Sequence, residues 1–341
     1  MAFYKYKNIE KKLGISIFLV NKDIGEKMEE RLLAILRLAL KYQATDIHFN
    51  MKYNEVEISL RIDGVPRRLK NCIGDDKLLR YLQYLANLDV GNLTKPQTGQ
   101  FEIEIDGIVL SLRFAIVNTF NVTSGVLRIL NSNLKIDVDN LSSDKNQNDF
   151  FKDLLNEENG LVLFAGPTGS GKTTTLYSLL KSAKNSVIYT IEDPIEVYNE
   201  NFVQLQVNEK LGLDYENGIK QILRHDPDII MIGEIRDGKA AKMALTASNT
   251  GHLVFSTIHA SSASSVISRM VDLGVNESHL YEMLLCIVYQ RMIINRSGEK
   301  TVIYEVMNRK EIDFFKTNQH NSNGFISVDE QIKIGIDNGI Y

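Results

Sequence analysis

Eight consecutive residues, Gly166-Pro167-Thr168-Gly169-Ser170-Gly171-Lys172-Thr173, spell the pattern G-x-x-x-x-G-K-T. Glycines at those spacings let successive backbone N–H groups turn inward around a polyphosphate. The preceding apolar run Leu161–Ala165 predicts a short buried strand, and Thr174–Ala183 predicts a helix whose N-terminus points its dipole at the phosphates. In that arrangement Lys172 reaches the β- and γ-phosphates, the Thr173 hydroxyl ligates Mg²⁺, and Thr174 continues the first helical turn. The run therefore implies a strand–loop–helix unit that binds a nucleoside triphosphate.

The rest of the chain is long enough for a second domain. At 341 residues, two domains can each bury a core, and 44% hydrophobic with 24% charged residues is an ordinary globular mix. A net charge of −4 speaks against the broad basic surface of a nucleic-acid-binding protein, so no direct nucleic-acid contact is expected, although a local basic groove stays open. Cys72 and Cys286 are far apart and read as free thiols of a reducing compartment, with no zinc quartet to be built from them. Lys5, Lys7, Lys11 and Lys12 are followed only by the short apolar stretch Ile15–Val20, and nowhere do 18 apolar residues run together. The expectation is a cytoplasmic protein without signal peptide or transmembrane segment, able to dock peripherally on a membrane complex.

Residues 1–25 are expected to be irregular. From Glu26 to Lys41 apolar residues recur at helical spacing; Val56–Ile62 alternates as a strand, with Asp63-Gly64 as its turn. A helical pattern covers Lys77–Leu88, and the alternating runs Phe101–Ile105 and Ile108–Phe114 join at Asp106-Gly107 as a hairpin. These elements predict a small α+β domain over 26–130. The polar stretch 131–149, including Ser142–Asp149, reads as a linker. In 150–341, the runs Val162–Ala165, Val187–Ile191, Ile229–Ile232 and Leu253–Ile258 alternate with helical segments, predicting a parallel α/β sheet with phosphate chemistry at its strand ends. From Ser278 onward the pattern reads as mainly helical, with Val302–Met307 as an edge strand.

Three further blocks carry candidate chemistry. In Asp228-Ile229-Ile230-Met231-Ile232-Gly233-Glu234, a buried strand delivers Glu234 where it can polarise a water for attack on the γ-phosphate; the same residues also fit a strand ending in a solvated Glu-x-Arg pair. Tyr189–Glu196 places Glu192, Asp193 and Glu196 after another strand, with Pro194 turning the chain. Glu192 and Asp193 can hold Mg²⁺ through water or orient the lytic water, and a plain solvated acidic loop fits equally. Thr250–His259 flanks a strand with His252 and His259, each a γ-phosphate sensor or a simple strand cap, at a spacing that is not a metal pattern.

These four blocks, in this order, resemble the secretion ATPases of type II secretion systems, type IV pili and DNA-uptake pseudopili, over roughly Leu32 to the C-terminus. The resemblance implies a PAS-like N-terminal domain joined to a RecA-like C-terminal ATPase domain. It further implies a homo-hexameric ring that hydrolyses ATP with Mg²⁺ and drives pilin into or out of a filament through an inner-membrane platform protein. By the same resemblance, Lys172 and Thr173 bind the triphosphate and Mg²⁺, and Glu234 is the catalytic carboxylate. Glu192, Asp193 and Glu196 are the aspartate-box groups, with Mg²⁺ held by Glu192 through water, and His252 and His259 are the histidine-box pair. Ala44-Thr45-Asp46-Ile47-His48 and Arg61-Ile62-Asp63-Gly64 match the small domain, and Arg113 and Arg128 fall where relatives place arginines that reach a γ-phosphate; without the resemblance both read as surface arginines. Arg224, Arg236 and Arg269 are further matching candidates. Lys95-Pro96-Gln97-Thr98-Gly99, the short N-terminus and the lack of four clustered cysteines are similar to the compact Gram-positive competence ATPases, which build a DNA-uptake pseudopilus. The rival readings are a pilus retraction ATPase, an ATPase of a type IV secretion or conjugation channel, and a nucleotide-binding scaffold without turnover.

Overall fold

The computed structural model describes residues 28–337 apart from 54, 63, 75, 92–94, 120, 131–136, 297 and 299, with the backbone alone at 70–74 and 210. The expected irregular segment 1–25, the first part of the expected linker, and the side chain of Cys72 lie outside the described residues. The chain divides into two compact units between residues 132 and 133.

In the first unit, α1 (Met28–Lys41) precedes β1 (Asp46–Lys52), β2 (Glu55–Ile62) and β3 (Val65–Gly74). Helix α2 (Asp76–Leu85) is followed by β4 (Gln97–Ile105), β5 (Ile108–Asn118) and β6 (Thr123–Leu130). The strands form one antiparallel sheet in the order β3-β2-β1-β6-β5-β4. Asp106 and Gly107 both take positive φ, +52° and +81°, closing the β4–β5 hairpin as expected of a two-residue Asp-Gly loop. Alternation places Ile47, Phe49, Ile58, Leu60, Leu112, Phe114 and Leu127 in one core with Leu32 and Leu36 of α1 and Leu78 and Leu82 of α2. Each large side chain so buried contributes about 1.5–3 kcal/mol. On the other face the register sets Arg61, Asp46, Arg128, Arg113 and Gln100 side by side across five strands.

The second unit begins with folded chain where a linker was expected. Asp137 caps a 3₁₀ turn, Val138–Asn140, and Asp144 caps α3 (Lys145–Asp153) by accepting from Asn146 N. Asn148 is buried, its Nδ2 donating to Asp139 O (2.7 Å) and Ser142 O (2.8 Å) while its Oδ1 accepts from Ser142 N. The polar composition of 137–149 is thus capping and turn chemistry, which by composition alone is indistinguishable from a linker.

A seven-stranded sheet follows, built from β7 (Gly160–Ala165), β8 (Ile188–Glu192), β9 (Phe202–Gln206), β10 (Ile229–Ile235), β11 (Leu253–Ile258), β12 (Leu284–Ile294) and β13 (Lys300–Asn308). Its order is β13-β12-β7-β11-β10-β8-β9, parallel except for the antiparallel edge strand β13. Helices α4 (Lys172–Leu180), α5 (Tyr215–Ile222), α6 (Gly238–Asn249), α7 (Ala263–Asp272), α8 (Glu277–Met283), α9 (Arg309–Asn318) and α10 (Val328–Asp337) complete the unit. Alternate residues of the central strands feed two cores: Leu163, Ile230 and Val254 pack with α6 and α7, and Phe164, Met231 and Phe255 with α4. Burial on both faces is what makes such strands continuously apolar.

Strand β12 corrects the expectation of a mainly helical C-terminal part. Leu284, Ile287 and Tyr289 enter one core and Cys286 and Val288 the other, so the segment is apolar on both sides. Periodicity cannot separate such a run from a buried helix. Because β12 pairs with β7, it lies directly beside the strand that launches the phosphate loop.

Candidate functional site

The C-terminal ends of β7, β8, β10 and β11 share one edge of the parallel sheet, the position where open α/β sheets bind ligands. A cleft of about 550 Å³ opens there. Its floor is the loop after β7. Gly166 has φ +146°, and a Cβ on it would lie 2.3 Å from the carbonyl oxygen of Gln290, so no larger residue fits. Gly171, at φ +89°, begins α4 with no side-chain cap, which leaves the first-turn N–H groups for an anion. Lys172 is 8% exposed, and its Nζ donates to Gly166 O (2.8 Å) and Pro167 O (3.1 Å). Burial lowers the Lys172 pKa, and the negative charges of Glu234 and Glu196 oppose that fall. A buried ammonium held only by carbonyl oxygens is suited to a polyphosphate partner.

The wall of the cleft is acidic. Glu192, at the end of β8, is 3% exposed; burial raises its pKa while hydrogen bonds from Tyr177, Thr190 and Gln204 work against that rise. Asp193, Glu196 and Glu234 line the same space, as do Thr168, Gly169, Thr173 and Thr174. Glu234 Oε2 accepts from Arg236 Nε at 2.7 Å, and Oε1 lies 3.0 Å from His259 Nε2. Arg236 also reaches to 3.8 Å from Asp193. A second cleft of about 360 Å³ adjoins this cluster and brings in Arg269 from α7. The structure therefore gathers Glu192, Asp193, Glu196, Glu234, Arg236 and His259 round the phosphate loop, with Arg269 alongside.

Four other sequence candidates stand elsewhere. His252 precedes β11, with Nδ1 within 3.3 Å of Ala247 O, whereas His259 follows that strand. Seven strand positions separate the pair by about 20 Å. Arg224 follows α5 and contacts Gln221 Oε1 at 3.5 Å. Arg113 and Arg128 are direct cross-strand neighbours in the first unit, and Arg128 Nε donates to Asp46 Oδ1 at 2.8 Å.

Sequence reading missed three contributors. Gln290 of β12 is fully buried, and its Nε2 donates to Ser170 O at 2.7 Å, buttressing the loop from the strand behind it. Tyr215 lines the cleft beside Asp193, Glu234 and Arg236, and burial raises its pKa first, with Asp193 adding to the effect. Thr257 Oγ1 donates to Gly233 O at 2.6 Å, fixing the backbone that carries Glu234. The residue types announce none of these; the pairing of β12 with β7 places Gln290, that of β11 with β10 places Thr257, and the start of α5 places Tyr215.

The donor set fits Mg²⁺. Thr173 offers a hydroxyl at the start of α4, and the carboxylates opposite are hard oxygen donors. Among the described residues no group of three or more His, Cys, Asp or Glu side chains converges as a metal site.

Such a loop, aimed from a parallel sheet at a carboxylate-lined cleft, makes this a phosphate-loop ATPase, an ATP-hydrolysing enzyme of α/β fold. The family described as "Type II/IV secretion system protein" matches residues 22–332, and the chain belongs to that family. It is 36% identical over 256 residues to "Competence protein ComGA" of Bacillus subtilis (strain 168), covering 74% of this chain and 72% of that protein. It is 39% identical over 269 residues to "Protein transport protein HofB homolog" of Escherichia coli (strain K12), covering 77% of this chain and 58% of that one. The crystal structure of the pilus retraction motor PilT with bound ADP is similar at a TM-score of 0.73 and 26% identity, covering 91% of this chain and 94% of PilT. Among the described residues no helix is long and apolar enough to cross a membrane.

Proposed function

We propose that this chain powers assembly of a type IV pilus-like filament of the competence type, through which DNA is taken up, by hydrolysing ATP on the second unit. The observation that carries this reading is the cleft in which Lys172, Thr173, Glu192 and Glu234 meet at one sheet edge. The similarity to a competence protein over 74% of the chain supports the branch. The subunits form a homo-hexameric ring on the cytoplasmic face of the membrane, bearing on an inner-membrane platform protein, with the first unit PAS-like and the second RecA-like.

In the reaction, first-turn N–H groups of α4 and the Lys172 ammonium bind the β- and γ-phosphates, and Thr173 with Glu192, through water, holds the cation. When bound, Mg²⁺ would supply charge neutralisation on the phosphates. Glu234 orients the attacking water, Asp193 and Glu196 complete the acidic wall, and His259 senses the γ-phosphate. Arg236 and Arg269 stand beside the transferring group. Arg113 and Arg128 close over the nucleotide from an N-terminal domain, and rigid-body shifts on product release pass round the ring. Arg113→Ala and Arg128→Ala turning over at wild-type rates would remove that last role.

The deciding experiment replaces Lys172 by Ala in the native host and counts surface filaments alongside DNA uptake. Joint loss of both identifies an assembly motor of the competence type. Filaments that persist or multiply favour the retraction reading, for which the likeness to PilT is the specific support.

A further inference from the structure

One carboxylate oxygen of Glu192 faces donors from three side chains. Tyr177 Oη donates to its Oε1 at 2.5 Å and Thr190 Oγ1 donates to the same oxygen at 2.7 Å. Gln204 Nε2 lies 3.3 Å from that oxygen, while donating to Tyr177 Oη (2.8 Å) and Val197 O (2.8 Å). Gln204 Oε1 in turn accepts from Asn199 N at 2.8 Å. Tyr177 and Thr190 are fully buried. The donors come from α4, β8 and β9, so the helix that starts at Lys172 is tied through one carboxylate oxygen to the segment that follows the acidic loop.

We propose that Tyr177 is a positioning residue for ATP turnover: together with Thr190 and Gln204 it occupies Oε1 of Glu192, so that Oε2 is the oxygen offered to the phosphate cleft. A carboxylate free to rotate about its last bond presents either oxygen at varying angles, whereas one oxygen fixed by donors from separate elements leaves the other with a single direction. Groups that orient a reacting or ligating side chain from behind typically change activity or metal affinity 10–100-fold when removed. The inference rests on the proposed role of Glu192 and adds to it a residue on the helix of the phosphate loop itself.

The test uses Tyr177→Phe and Thr190→Val in the full chain, both nearly isosteric, with Glu192→Gln as reference. For each, steady-state kcat and KM for ATP are measured, together with the Kd of a fluorescent ADP in EDTA. Tyr177→Phe is expected to lower kcat about tenfold, with KM and the ADP Kd within about twofold of wild type. Thr190→Val is expected to move kcat in the same direction. A wild-type kcat in Tyr177→Phe would overturn the inference. So would a KM and an ADP Kd that rise in step with the loss of kcat, because Tyr177 would then merely pack α4 behind the loop. Glu192→Gln turning over at the wild-type rate would instead remove the role proposed for Glu192 itself, which is a separate outcome.

Discussion

Glu234 Oε1 lies 3.0 Å from His259 Nε2, across the ends of two adjacent parallel strands, β10 and β11. The contact closes a chain from Asp193 through Arg236 and Glu234 to His259 that follows the rim of the cleft. Glu234 is 17% exposed at its side chain, partly wet, and both its oxygens are engaged, so any water it orients must share it with Arg236 or His259.

Replacing Glu234 by Gln keeps the shape and removes the charge. Phosphate release is expected to slow by about 10²–10³-fold, with the Kd for ADP changed less than about threefold. A turnover close to wild type would move the catalytic carboxylate elsewhere on the acidic wall.

Lys172→Ala takes away a buried ammonium that only backbone carbonyls now hold. Nucleotide affinity is expected to fall by about 2–3 kcal/mol, roughly a hundredfold in Kd. Titration calorimetry with ADP and with a non-hydrolysable ATP analogue reads this directly. The loss should be larger for the triphosphate.

Gln290→Ala tests the buttress behind the loop. Loss of the donor to Ser170 O leaves a buried carbonyl unpaired, at a cost of about 1–3 kcal/mol. The thermal midpoint is expected to drop by about 2–6 °C, and nucleotide affinity to weaken about fivefold. An unchanged midpoint would mean that water replaces the side chain.

The first unit should be acid-sensitive. Burial lowers the His48 pKa, with Arg61 adding to the fall, and the His48 Nε2 is buried without a partner. A depressed folded pKa means that this stability is fully present above the unfolded value of about 6.5 and is lost as pH falls below it. At Asp46, burial works to raise the pKa, but hydrogen bonds from Arg128 and Thr45 outweigh it and the net shift is downward. That contribution is present above an unfolded value of about 3.9 and disappears as pH falls through the lower folded one. Urea unfolding at pH 7.5 and 5.5 should show the loss, and His48→Asn should flatten it. Asp46→Asn should cost about 2 kcal/mol at neutral pH by releasing Arg128.

Much of the cleft is legible in the sequence, because its parts are local. The phosphate loop needs glycines at set spacings, and Gly166, Gly169 and Gly171 all take positive φ. Glu192 and Glu234 are legible because each ends an apolar run, and a parallel strand delivers its last residues to one edge. The Asp106-Gly107 hairpin is legible for the same reason: its backbone conformation restricts which residues fit.

Other parts have no local signature. Segment 137–149 reads as linker by composition but folds by side-chain capping, and β12 reads as helix because both its faces are buried. His252 and His259 look paired along the sequence, yet a strand holds them at opposite ends. By itself the sequence determined the class of chemistry, because phosphate binding is written into consecutive backbone-permissive residues. Tertiary structure alone decided which residues stand behind it. Gln290 reaches Ser170, and Tyr177 and Gln204 reach Glu192, only because particular strands and helices lie side by side, and that neighbourhood is a property of sheet order rather than of any local run.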